Sequence, residues 1–156
     1  METNRDEAFR ALLAAERAAA APYIDYPASP PWFAPVTALW VAAIVGIFTL
    51  LPERTALFAI SLGVLMALEA GCIAWMQRRH GALPIPGTGT PPAEIGRVWG
   101  WYFIGCAVVL AVVTVVWWLV GIPAAALIAF VLVAGGLAWY ERAYTGAARS
   151  VRERLA

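Results

Sequence analysis

The sequence predicts an all-α integral membrane protein: four transmembrane helices arranged as two helical hairpins, both termini cytoplasmic, with an amphipathic helix at the N-terminus. Three observations predict it. Hydrophobic residues make up 62% of the 156 positions and charged residues 13%, against about 25% charged in soluble domains. Charge-poor runs long enough to cross a bilayer follow one another, and none alternates polar with apolar as the strands of a barrel must. The arginines are distributed asymmetrically about these runs.

The first segment, residues 1–31, reads as a cytoplasmic amphipathic helix and a proline-rich connector. Thr3 can cap a helix, with Asp6 placed for a capping box, and Pro22 is expected to end it. Phe9, Leu12 and Leu13 form its narrow apolar stripe. Four acids before Ala18 interrupt any apolar core of a signal peptide. The connector PYIDYPASPPWFAP carries five prolines in fourteen residues and must be extended and stiff.

Residues 32–77 form the first expected hairpin. The run 32–51 holds twenty residues without a charge, enough to cross a core of ~30 Å at 1.5 Å per residue. LPER at 51–54 breaks it, with Pro52 suited to start the next helix and Glu53 to sit at its positive dipole end. The second run carries Glu69 as its one charge. Residues 78–97 read as a cytoplasmic Pro/Gly loop.

Residues 98–144 form the second hairpin. The charge-free run 98–140 has 43 residues, about twice what one crossing needs. It divides at Gly121-Ile122-Pro123, a helix C-cap glycine followed by a first-turn proline. Residues 145–156 are a basic tail expected to extend the last helix along anionic headgroups.

Orientation follows from the arginines. Arg5, Arg10, Arg17, Arg78, Arg79, Arg97, Arg142, Arg149, Arg152 and Arg154 fall on one side and Arg54 alone on the other. The positive-inside rule then places both termini in the cytoplasm. Trp32, Trp75, Trp99, Trp101 and Trp139, with Arg78, Arg79 and Arg142, are expected to line the cytoplasmic lipid interface. All eleven basic residues are arginine, and alanine, valine and glycine abound. This usage suggests a GC-rich genome and the inner membrane of a bacterium.

Segments 70–79 (AGCIAWMQRR) and 134–143 (AGGLAWYERA) match at five of ten positions. Both are cytoplasmic exits. Small residues and a Trp–Arg boundary explain much of the likeness, and an old hairpin duplication is the alternative.

The chemistry concentrates on Glu69. It lies eight residues before Gln77, about 12 Å inside the interface. An ionised carboxylate facing lipid is costly, so Glu69 must face the bundle interior or carry a proton. Trp40, Tyr102 and Cys106 fall at comparable depth and are its expected neighbours. A polar pin between helices is one reading, and a protonatable site in a transport path is another. A Cys72–Cys106–Glu69 metal or redox site lacks histidine, since His80 lies in the loop, so no metal and no cofactor is expected. One histidine cannot supply haem ligand pairs, and Ser29, Ser61 and Ser150 have no nearby base. GTGT in the middle loop is not a phosphate-binding loop. A net charge of +1 leaves no footprint for nucleic acid.

The layout of four short spans, one membrane glutamate and abundant tryptophan resembles that of small multidrug exporters. Here the glutamate stands in the second span, and in that family in the first. The resemblance implies a dimer that exchanges a lipophilic solute for protons at Glu69. The residues themselves favour a small non-catalytic membrane protein, an accessory subunit or interaction module. Its partners are the bilayer and either a second copy or a membrane-protein partner. Small-xxx-small faces at Ala42/Gly46, Ala67/Gly71, Gly96/Gly100 and Ala134/Ala138 suit helix association.

Overall fold

The computed structural model describes residues 2–25, 29–80, 86 and 89–155, with the side chains of 2–6, 79 and 80 excepted. The described residues form five α-helices and no strand: α1 (Glu2–Ile24), α2 (Phe33–Ile47), α3 (Thr55–His80), α4 (Ala93–Val120) and α5 (Ile122–Arg154). Four of them are long and apolar enough to cross a membrane, α2 with the aid of the 3-10 turn Phe48–Leu50. Fifteen residues of α-helix and three of 3-10 give α2 a length of about 28 Å, just the thickness of a hydrocarbon core. The 33 residues of α5 reach about 50 Å, some 20 Å more than one crossing needs.

The breaks have local causes. Gly121 adopts φ 111° and ψ 172°, backbone that only glycine takes without strain. Its N–H caps the preceding helix at Trp117 O (3.0 Å) and Val116 O (3.2 Å), and Pro123 sits in the first turn of α5. Between α2 and α3, the Arg54 N–H closes the turn on Leu50 O at 2.8 Å. α3 begins only at Thr55, so Pro52 and Glu53 belong to the connecting turn and not to the helix start.

Two expectations at the N-terminus need correction. α1 begins at Glu2, so Thr3 lies within the helix and does not precede it; the side chains of Thr3 and Asp6 lie outside those described. Pro22 does not end α1, which continues to Ile24. Proline has no N–H and clashes with the carbonyl one turn back, yet one turn beyond it is held by the Asp25 N–H on Ala21 O (3.0 Å) and by packing.

α5 is the central element, packed along α2 on one side and α4 on the other. Ala38 of α2 and Ala125 and Ala129 of α5 are fully buried, and Val113 of α4 with Val41, Val45, Val109 and Val116 fills the space around the two α5 alanines. Small side chains let these backbones approach closely, the usual means of helix packing where lipid supplies no hydrophobic drive. Ala125 and Ala129 stand four residues apart, and this pair was not among the expected small-residue faces. Phe48, at the end of α2, packs against Phe58 of α3 (5.2 Å) and Trp117 of α4 (5.1 Å). Those contacts bring the ends of α2 and α4 to one level, so both run opposite to α5.

α3 differs from the rest. It meets α2 along a slight contact, and no residue of 55–78 is buried. The α4–α5 hairpin is therefore intimate, whereas α2 has α5 and not α3 as its principal neighbour.

A second core lies at the other end. Ala20 and Ile24 of α1, Ile95 and Trp99 of α4, Ala148 and Val151 of α5, and Leu155 just beyond its end are buried together, with Tyr23, Tyr140 and Tyr144 against them. The tail continues α5 without a break, as expected, and turns Ala148 and Val151 inward, while Arg149 and Arg152 stay exposed. Three polar contacts complete the knot. The Tyr144 hydroxyl donates to Tyr23 O at 2.7 Å. Arg154 reaches both Glu16 of α1 (3.1 Å) and Glu94 of α4 (3.5 Å). Phe9 and Leu12, further along α1, remain exposed.

Candidate functional site

Glu69 sits on the face of α3 that looks toward α2. The half-buried residues of α3 are Phe58, Ser61, Leu62, Leu65, Glu69 and Met76. Their spacing of three, four and seven places them in one stripe of a helix. Two contacts fix the direction of that stripe: Phe58 on Phe48, and the Trp40 indole N–H donating to Leu65 O at 3.1 Å. Leu57, Ile60, Val64 and Leu68 point away and are exposed.

The Trp40 bond defines what Glu69 can do. In an α-helix the carbonyl of Leu65 accepts the backbone N–H four residues on, that of Glu69. A carbonyl has two lone pairs. Leu65 O spends one on the helix and the other on Trp40, so that carbonyl has nothing left for the Glu69 side chain. Trp40 pins α2 to α3 through the backbone, one turn from the carboxylate and not on it. Among the described residues, Glu69 has no hydrogen-bond or ion-pair partner.

The other expected neighbours lie elsewhere. Tyr102 belongs to the α4–α5 seam, its ring 5.1 Å from that of Tyr140, with the Cys106 thiol beside its hydroxyl. Tyr140 stacks on Tyr144 at 5.8 Å, and Tyr23 meets Trp99 edge-on at 5.9 Å. The structure thus separates the expected cluster into two: Trp40 with Glu69 between α2 and α3, and Tyr102 with Cys106 beside α5. Cys72 and Cys106 are exposed free thiols, and no three metal-ligating side chains converge among the described residues.

Of the expected interface residues, Trp32, Trp75, Trp101 and Trp139 are exposed, as are Arg78 and Arg142. The side chain of Arg79 lies outside those described. Trp99 is the correction: it is 4% exposed, covered by Tyr23 of α1 and enclosed by α5. The sequence carries a signal for it. Ile95, Trp99, Tyr102, Cys106, Val109, Val113 and Val116 alternate spacings of four and three, the seam of a helix packed along another.

Fold and site together define a protein whose described residues are all-helical, with four lipid-length helices whose charge-poor runs hold one carboxylate, Glu69, without a side-chain partner among the described residues. Comparison with protein-family models, with curated proteins and with solved structures finds no match.

Proposed function

We propose that this protein is a small non-catalytic multi-pass membrane protein of the bacterial inner membrane, acting as an accessory subunit or interaction module with both termini in the cytoplasm. One observation carries the reading. α3 is a membrane-length helix of which no residue of 55–78 is buried, and the one charge it holds inside its apolar run has no partner among the described residues. Lipid covers Leu57, Ile60, Val64 and Leu68 well. It offers nothing to a carboxylate, which is retained in a span when something meets it. The ten-to-one arginine distribution supports the orientation.

Native mass spectrometry of the tagged protein, expressed at its natural level and transferred into lipid nanodiscs, tests the reading. A stoichiometric foreign subunit is the expected result. A homodimer without any foreign subunit would refute it and leave the proton-coupled exporter, working as a dimer around Glu69, as the surviving reading. That exporter would bind a lipophilic cation in competition with protons.

A further inference from the structure

We infer that the α2-facing side of α3 receives a transmembrane helix of another protein, one that carries an arginine, lysine or histidine level with Glu69. The inference rests on the accessory-subunit reading and names the chemistry of its partner.

Glu69 is half-buried on that side, about 12 Å inside the level of Gln77. Two species can neutralise a carboxylate in hydrocarbon, a proton or a cation. A proton alone leaves an O–H that still needs an acceptor, because an unpaired polar group is costly there. The carbonyl one turn back is already shared between the Glu69 N–H and Trp40. A cation satisfies the oxygens directly.

This chain does not supply that cation. The runs 32–51, 55–77 and 98–140 contain no arginine, lysine or histidine. Arg78 stands nine residues beyond Glu69, more than two turns toward the surface. A second copy brings the same runs and therefore a second carboxylate at that depth; the two can share one proton, but the pair then keeps a negative charge without a counter-cation. Charge complementarity thus selects a foreign helix over self-association. Space permits it, since α3 touches α2 slightly and buries none of residues 55–78. Intramembrane carboxylates and bases commonly satisfy one another in this way.

The test uses the full-length protein in its native membrane with a photo-crosslinking amino acid in place of Ile73. That residue is exposed one helical turn from Glu69. The expected product is a crosslink to an apolar segment of another protein that contains a basic residue, identified by peptide sequencing. Glu69→Leu should lower its yield roughly tenfold, the loss of one interhelical polar contact. Glu69→Gln should lower it less. Unchanged helix content and thermal unfolding would show that both variants fold. Exchanging the charges, Glu69→Arg here and the partner's base to glutamate, should restore the yield.

Crosslinks confined to a second copy or to lipid overturn the inference, as does a foreign segment without a basic residue. So does a yield indifferent to Glu69→Leu. Tetraphenylphosphonium binding abolished by Glu69→Gln would overturn it in favour of a small cation. If native mass spectrometry finds a foreign subunit that Glu69→Leu retains in full, this inference fails and the accessory reading stands. If it finds none even in the wild type, both fail.

Discussion

Trp99 and Trp101 lie two residues apart on α4 and differ sharply in environment: Trp99 is 4% exposed and Trp101 57%. Truncating each to alanine separates the contribution of the α1–α4–α5 knot from that of lipid contact. A tryptophan buries up to about 250 Å². At about 25 cal/mol per Å², enclosing Trp99 contributes up to ~6 kcal/mol. Measured truncations of buried aromatic residues cost about 3–5 kcal/mol, because transfer and cavity terms combine and the site partly relaxes. Trp99→Ala should therefore destabilise the protein by about 3–5 kcal/mol, a factor of a few hundred to a few thousand in the unfolding equilibrium. Trp101→Ala should cost within about 0.5 kcal/mol of nothing. The assay is reversible unfolding in mixed micelles by increasing detergent denaturant, followed by helix content. Limited trypsin digestion reports on α1 directly, since losing Trp99 should expose Arg10 and Arg17 to cleavage. If the two variants unfold at the same point and digest alike, Trp99 faces lipid and α1 does not dock as described.

Three further outcomes follow from the packing. Ala125→Leu and Ala129→Leu should each cost about 1–3 kcal/mol or more by overpacking the contact of α5 with its neighbours, whereas Ala67→Leu on the exposed face of α3 should be near neutral; the same unfolding titration compares them. Trp40→Phe removes the bond to Leu65 O and should cost about 1 kcal/mol, read as faster amide exchange around residues 65–69 with little change in α4 and α5. Arg154→Ala breaks two half-exposed ion pairs, to Glu16 and Glu94. It should cost no more than about 1 kcal/mol, and the loss should shrink at high salt.

The number of the long helices was legible because charges and glycine–proline breaks punctuate the chain, as at Gly121, but their ends were less so: α3 runs to His80 and α4 starts at Ala93, both inside the stretch 78–97 read as a loop. Which face of each helix packs was not legible. In α4 both faces are apolar between Val98 and Val120, so hydrophobic periodicity has no contrast. The seam through Trp99, Tyr102 and Val113 shows only in heptad spacing. Small residues are equally uninformative in a chain rich in alanine and glycine: Ala125 and Ala129 carry the tight contact, yet Ala134 and Ala138 have the same spacing. Trp99 and Trp101 are the same residue type, and what buries one of them is Tyr23, far away in the sequence. The candidate site was half legible. Glu69 stood out as a charge in an apolar run, and Trp40, expected beside it, bonds the backbone one turn away at Leu65 O. The indole's choice of the Leu65 carbonyl over the carboxylate is a matter of tertiary geometry.

The bond from Tyr144 to Tyr23 joins residues 121 positions apart. At a synthesis rate of about 5–20 residues per second, some 6–24 s pass between the making of α1 and the making of the surface that covers its end. During that interval Ala20, Tyr23 and Ile24 have at most Ile95 and Trp99 of α4 to meet and lack the α5 side of their contact, while three long helices and most of a fourth are laid down. Full docking of α1 thus has to wait for the last helix. A fully docked α1 marks a chain whose last helix is in place, and an undocked one leaves a handle by which an unfinished molecule can be told from a finished one.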